Sequence, residues 1–227
     1  MKLLVKFPTR GRREKFFTTL DKYRSLCEDP SNVSFLISMD SDDLEMSEEL
    51  VKDRFDKMDN VYLVWGRSTS KIGACNRDIR NFQEPWDILL LASDDMVPQI
   101  QGWDTRIISD MEVSFPNTDG VLWYSDGYQA KNLNTLCILG KTYYNRFKYV
   151  YHPSYRQVWC DNEFTEVSIR LNKVVYSSDV IIRHEHPLWG FGKLDQMNIY
   201  DLGSVNEEDK STFIKRALIQ FDLKNEF

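Results

Sequence analysis

The chain is poor in cysteine, and what it has is scattered: Cys27, Cys75, Cys137 and Cys160 form no C-x-x-C pair within 227 residues. That spacing speaks against a zinc cluster or a dithiol redox motif and fits reduced, mostly buried thiols in a cytoplasmic protein. Long apolar runs are also missing. Nowhere do the roughly 18 consecutive apolar residues needed to span a bilayer occur, and the stretch opening MKLLVKFPTR stops at Lys6, too short for a signal-peptide core. Cationic excess is absent as well. A net charge of −6 argues against a surface built for nonspecific nucleic acid, which needs clustered cations to displace counterions. Repeats, low-complexity tracts and linkers rich in Pro, Gly or Ser are lacking, so a domain boundary has no support.

What is present is a core. With 42% hydrophobic and 13% aromatic residues, the chain can bury one sizeable interior. Apolar runs alternate with amphipathic segments, the pattern of an α/β domain with a largely parallel sheet. Strands are expected over 3–7, 33–40, 61–65, 87–92, 173–176 and 180–183. Phe16, Phe17, Leu20, Tyr23 and Cys27 recur at helical spacing. Ser47 with Glu48 and Glu49 marks a second helix start, whose buried face would be Leu50, Val51, Phe55 and Met58. A third helix opens near Ser70 with Ile72, Cys75, Ile79 and Phe82 on one face. Further helices are expected over 102–113, 162–171 and 207–223, while 120–147 mixes strand and turn signals.

WDILLLASDDMVP, residues 86–98, ends a wholly apolar strand on two adjacent carboxylates. In open α/β sheets, ligands bind beyond the carboxyl ends of the strands. Neighbouring anions there repel and lose hydration, so a bound cation or a network of donors must keep both Asp94 and Asp95 ionised. A divalent metal does this well, since Mg²⁺ or Mn²⁺ takes one or two carboxylates and fills the rest of its sphere with water and phosphate oxygens. A loop in which Asp95 caps a turn would explain S-D-D alone. Yet Asp40, Asp42 and Asp43 end another strand, and Thr9 and Arg10 end the first. Three strand ends thus bring polar residues to one rim.

LVKFPTRGR, SFLISMDSDD, SKIGACNRDI and WDILLLASDDMVP followed by GWD resemble, in order and spacing, the nucleotide-sugar domain of GT-A glycosyltransferases of the family 2 type. The resemblance implies a Rossmann-like α/β/α three-layer fold with a mostly parallel mixed sheet. Residues 1–98 would form a nucleotide-binding half, 99–190 an acceptor and catalytic half, and 191–227 a C-terminal cap or helix. It places Thr9, Arg10, Asp40 and Asp42 around the nucleoside, with Lys71, Gly73 and Asn76 near the nucleotide. The family's D-x-D motif falls on Ala92-Ser93-Asp94. Its first aspartate is alanine here, so Ser93 and Asp94 face the donor and Asp94 with Asp95 carries the metal.

CDNEFTEVSIRLNKVVYSSDVIIRHEHP, residues 160–187, is similar to the segment of that family in which acidic residues open a helix and a histidine closes the following strand. Asp161 is the expected general base and Glu163 its reserve. His184 and His186, two apart on a strand end, point to one side and are candidate metal ligands. The Trp189 loop, with glycines at 190 and 192, would act as a lid. Aromatics from Tyr143 to Trp159 are core or an acceptor platform. Arg10, Arg12, Arg13 and Lys15 could hold a diphosphate.

These features imply a metal-dependent, inverting enzyme that moves a sugar from a nucleoside diphosphate sugar, UDP-linked by preference, to a hydroxyl of a glycan, lipid or protein. Mn²⁺ or Mg²⁺ is the implied cofactor. Two rivals share the signals: a sugar nucleotidyltransferase of related fold, although PTRGRR is poor in the glycines such enzymes use, and a noncatalytic nucleotide or glycan binder, which Ala92 would suit.

Overall fold

The structure, a computed structural model, describes residues 1–191 and 203–225. Its main sheet has seven strands in the order β3-β2-β1-β4-β7-β6-β8. These are β1 (Leu3–Thr9), β2 (Val33–Asp40), β3 (Val61–Gly66), β4 (Ile88–Leu91), β6 (Val121–Tyr124), β7 (Ile138–Gly140) and β8 (Val174–Ser177). Strands β1 to β4 run parallel, and β7 alone is reversed, lying antiparallel between β4 and β6. The expected mostly parallel mixed sheet is therefore present.

Alternation along β1 sets the layers. Leu3, Val5 and Phe7 point to one face, where they meet Phe16, Phe17, Leu20 and Tyr23 of α1 (Arg13–Ser25), Val51 and Phe55 of α2 (Glu48–Phe55), and Trp103, Ile107 and Met111 of α4 (Trp103–Ser114). Leu4 points to the other face, toward Ile72 and Cys75 of α3 (Lys71–Asn76), Tyr143 and Tyr144 of α5 (Lys141–Phe147), and Cys160 and Phe164 of α6 (Cys160–Arg170). Both faces of β4 are covered, so Ile88, Leu89 and Leu90 are each fully buried. Truncating Leu89 or Leu90 to alanine would cost about 2–5 kcal/mol. Of the tyrosines expected as core or acceptor platform, Tyr143, Tyr144, Tyr151 and Tyr155 are core and Tyr149 is partly buried.

Several local expectations are corrected. The helix opening at Ser70 stops at Asn76, because Arg77 turns extended and Asp78 adopts left-handed backbone, φ 71°. Ile79 and Phe82 therefore fall on a separate single turn. Leu50 faces solvent, since only Val51 and Phe55 of α2 are buried. The last helix, α7 (Ser204–Leu218), starts and ends before its expected bounds. Residue 192, one glycine of the supposed lid, lies outside the described residues, as does 193–202 of the expected C-terminal cap.

The largest correction matters for the site. The strand expected over 180–183 is β9 (Ile182–His184), and it does not join the main sheet. It pairs antiparallel with β5 (Met96–Pro98), a strand the apolar pattern of 86–98 hid behind its proline, with Met96 opposite His184. Pro98 sits at the outer end of this short ladder, where its missing N–H costs least. Glu185 donates its N–H to the carbonyl of Asp95 at 2.6 Å. The second half of the chain is thereby stitched to the residues just beyond β4.

Candidate active site

At the ends of β1 and β2 the side chains form a charged rim. Arg10 donates to Asp40 at 2.8 Å and to both oxygens of Asp42, at 2.6 and 3.1 Å. The Gly11 N–H donates to Asp43 at 2.7 Å, which folds the loop after β1 onto that after β2. Arg77 stands 3.6 Å from the other oxygen of Asp40 and also bonds the Met39 carbonyl. A side chain at Gly66 would lie 2.5 Å from the Arg77 guanidinium, so only glycine leaves room for this approach. The hydroxyls of Thr9 and Ser68 and Oδ1 of Asp40 are buried without hydrogen-bond partners among the described residues. Buried polar atoms left unpaired cost free energy, and a ligand with complementary groups relieves that cost. Thr9, Arg10, Asp40 and Asp42 thus sit together.

Beneath this rim lies a group that periodicity did not reveal. Lys6, in the middle of β1, is wholly buried and donates to Ser38, which in turn donates to Asp78. Desolvation lowers its pKa to about 8, against the pull of Asp78 3.9 Å away. Asp78 also faces Arg77 at 3.2 Å. The buried lysine therefore anchors the aspartate that flanks the arginine at Asp40.

Asp94 and Asp95 occupy the rim beyond β4 as expected, and both are almost fully buried. Donors of the protein itself compensate them. Arg12 lies 3.2 Å and Lys15 3.5 Å from Oδ1 of Asp94. Burial still raises the Asp94 carboxyl above its ordinary value, with Arg12 and Lys15 pulling the other way. Asp95 accepts from Ser93, and His184 Nε2 stands 3.5 Å from its Oδ2. Burial works against that charge too, yet the His184 and Ser93 contacts hold the Asp95 carboxyl well below the usual range. The network of donors foreseen as one of two ways to keep adjacent anions charged is present.

Asp161 sits on the first turn of α6, where its Oδ1 accepts the N–H of Asn162 at 3.0 Å. Burial raises its pKa, opposed by that N–H and by the charges of Lys71 and His184. A carboxylate within the electrostatic reach of both the first residue of α3 and the last of β9 draws three distant segments to one place. His186 and Trp189 lie close by, with ring centres 5.6 and 5.0 Å from His184. Trp189 stacks on Tyr128 at 4.7 Å. Tyr128 had no sequence signal; it is set there by Asp126, whose buried carboxylate accepts the N–H groups of Tyr128 and Gln129 and the Thr135 hydroxyl.

Three expected site residues are otherwise employed. Glu163 is 4% exposed, and both its oxygens accept from Arg216, at 2.6 to 2.9 Å, and from the Tyr155 hydroxyl at 2.7 Å. With its lone pairs committed, it is corrected from reserve base to structural anchor. Asn76 accepts the N–H groups of Val150 and Tyr151 and donates to the Tyr151 carbonyl, which commits both ends of its amide to the backbone. Gly73 gives its N–H to the Ser70 hydroxyl, an N-cap contact at 3.0 Å.

Among the described residues, no three His, Cys, Asp or Glu side chains gather closely enough to cage a metal ion. The donor set nevertheless suits an ion that brings its own ligands. Asp95 Oδ2 and His184 Nε2, 3.5 Å apart, are one oxygen and one imidazole on the same rim. Mg²⁺ and Mn²⁺ take the remainder of their sphere from phosphate and water.

No protein-family model and no curated protein matches the chain in sequence. Solved structures do match in fold. A mannosyltransferase from Pyrobaculum calidifontis, solved with GDP-Man and Mn²⁺, superposes with a TM-score of 0.64 over 84% of this chain at 13% identity. S. aureus TarS 1-349 in complex with UDP matches over the whole chain at 13% identity and a TM-score of 0.63. The chain spans 58% of the mannosyltransferase and 74% of that TarS fragment. A 4-diphosphocytidyl-2C-methyl-D-erythritol synthase from Anaerococcus prevotii matches at 14% identity and a TM-score of 0.54, covering 89% of this chain and 96% of that one. Sheet order, reversed strand and these likenesses together define the fold as GT-A, a Rossmann-like architecture.

Proposed function

We propose that the protein is a glycosyltransferase that moves a sugar from a nucleoside diphosphate sugar to an acceptor hydroxyl with inversion at the anomeric carbon. One observation carries the reading: Asp161, buried on the first turn of α6 and with no ion pair to a cation among the described residues, feels the charges of Lys71 and His184, and His184 stands 3.5 Å from Asp95. This supports a base and a metal ligand working side by side.

The nucleoside rests on Thr9 and Asp40, each with a buried oxygen that lacks a hydrogen bond among the described residues, and on Arg77 beside Asp40. Arg12, Lys15 and Lys71 supply positive charge for the diphosphate. Asp95 and His184, with Asp94 beside them and His186 within reach, would hold Mn²⁺ or Mg²⁺, which when bound neutralises charge on the leaving group. Asp161 takes the proton from the acceptor hydroxyl; the acceptor oxygen bonds to the anomeric carbon as the bond from that carbon to the phosphate oxygen breaks. The nucleoside diphosphate departs with that electron pair. UDP is the favoured nucleotide. A raised pKa on Asp161 suits a base that must retain the proton it gains.

Titration calorimetry with UDP, GDP, CMP and dTDP, each with and without Mn²⁺, is expected to show one nucleotide bound more tightly with metal. Release of free sugar from the matching donor should vanish in Asp161→Ala while nucleotide binding persists. Cleavage between the α and β phosphates would instead identify a nucleotidyltransferase, and binding without any turnover a noncatalytic module.

A further inference from the structure

The loop leading into α6 and the first turn of that helix are bonded to α7, a helix to which nothing above assigns a function. Asp209 of α7 is 1% exposed, and its carboxylate accepts three consecutive backbone N–H groups, those of Arg156 at 3.0 Å, Gln157 at 2.8 Å and Val158 at 2.9 Å. Asn206, one turn before, accepts the indole N–H of Trp159 at 2.7 Å, and Phe213 packs on the same indole with ring centres 5.6 Å apart. Arg216, two turns after Asp209, closes on Glu163. One face of α7 therefore grips residues 156, 157, 158, 159 and 163, and Asp161 lies inside that span.

This grip opposes a real strain. Trp159 adopts left-handed backbone, φ 62°, at the residue where α6 begins. A bulky residue persists in that region only where its surroundings over-determine it. Asp209 fixes the three residues before Trp159, Asn206 takes its indole N–H, and Arg216 holds Glu163 beyond it, and together these contacts supply that determination. The same loop reaches the other partner of Asp161: the Ile72 N–H, one residue past Lys71, donates to the Arg156 carbonyl at 3.3 Å. Segment 156–158 is thus a bridge between the start of α3 and the start of α6, with Asp209 as its central tie.

We infer that α7 is a positioning element of the active site, and that Asp209 is the positioning residue which sets the placement of Asp161 relative to Lys71. The inference rests on the reading of Asp161 as the base. Asp209 touches no substrate; it acts through three N–H groups and the strained Trp159.

The test uses the full chain and three variants. Asp209→Asn keeps the shape but replaces an anionic, two-oxygen acceptor by a single neutral carbonyl. Asn206→Ala, at a partly exposed position, loosens Trp159 with less risk to folding. Asp209→Glu restores the charge. In Asp209→Asn, amide exchange of residues 160–163 is expected to quicken about tenfold while exchange in β4 stays as it was, as for a local opening. The titration midpoint of the Asp161 carboxyl, followed by carbon-13 NMR, is expected to move by about half a unit. Donor hydrolysis should lose kcat about tenfold with KM within about twofold, the mark of a lost transition-state interaction. Asn206→Ala should repeat these effects in weaker form and Asp209→Glu should recover part of them. Faster exchange confined to 156–158, with the Asp161 midpoint unmoved in both loosened variants, would overturn the inference. Asp161→Asn decides the underlying reading separately: retained turnover there removes the base, whereas exchange and midpoint in Asp209→Asn still report whether α7 holds that turn.

Discussion

His184 Nε2 stands 3.5 Å from Asp95 Oδ2, across a two-strand ladder in which Met96 opposes His184. Residues 89 apart in sequence are thereby made neighbours, and the contact links the half of the chain that builds the nucleotide rim to the half that carries Asp161.

His184→Ala removes the proposed metal ligand together with the group that steadies the Asp95 charge. Losses of a ligand or its supporting partner typically cost 10–100-fold in metal affinity or activity. The Mn²⁺ concentration giving half-maximal donor hydrolysis is therefore expected to rise by about that factor. An unchanged Mn²⁺ dependence would strip His184 of the role.

Asp161→Asn is expected to lower turnover by about 10²–10⁴-fold, the usual contribution of a general base, with nucleotide affinity retained. Because burial raises the folded pKa of Asp161, the acidic limb of the wild-type kcat profile should fall at a pH above the ordinary carboxylate range. The same shift has a consequence for stability. A carboxyl whose folded pKa is raised favours folding below its unfolded pKa, and that benefit is lost as pH rises through the folded value. Asp161→Asn should accordingly be more stable than wild type near pH 7, with the difference shrinking toward pH 4. Equal denaturant midpoints at both pH values would refute this.

The Glu163–Arg216 pair is buried on both sides, so breaking it by Glu163→Ala strands a guanidinium. Such losses run to about 3–5 kcal/mol, while replacing both partners by apolar residues of similar size is often neutral. Urea unfolding should show Glu163→Ala strongly destabilised and Glu163→Leu with Arg216→Met largely recovered. If Glu163→Gln folded normally but abolished turnover more completely than Asp161→Asn, Asp161 and Glu163 would have to exchange roles.

Lys6 titrates near 8 in the fold against 10.5 for an ordinary lysine. Between those values the unfolded chain binds more protons than the folded one, so stability should rise with pH from about 8 to 10.5 on account of this group. Lys6→Met is expected to remove that rise. Parallel slopes for both proteins across this window would show that the Lys6 ammonium is met by its partners well enough to keep an ordinary pKa.

Much of the fold was legible because strand and helix periods are local. The runs in β1, β2 and β4 could be read as buried on both faces, and the aromatic spacing of α1 identified its inner side. Strand-end carboxylates at Asp40, Asp94 and Asp95 could be read from the rule that parallel sheets present ligands at their carboxyl edge. Other features resist any local reading. Nothing in GACNRDI announces that Arg77 leaves the helix to reach Asp40, because the attraction is to a residue 37 positions earlier. Lys6 looks like an interruption of an apolar strand until Ser38 and Asp78 are seen to satisfy it. Glu163 could be ranked behind Asp161 as a base but not set aside, since both are acids in the first turn of one helix; the partner that arrives from α7 engages Glu163 alone of the two.

The order of elements, the two-sided core and the edge at which polar residues collect follow from the chain's own hydrophobic periods, which need no knowledge of what lies across the sheet. Which of those polar residues are free to act was decided by tertiary structure alone. A carboxylate becomes an anchor when a buried guanidinium saturates its lone pairs and remains available when burial raises its pKa without closing it off, and that difference depends on contacts 47 to 89 residues away.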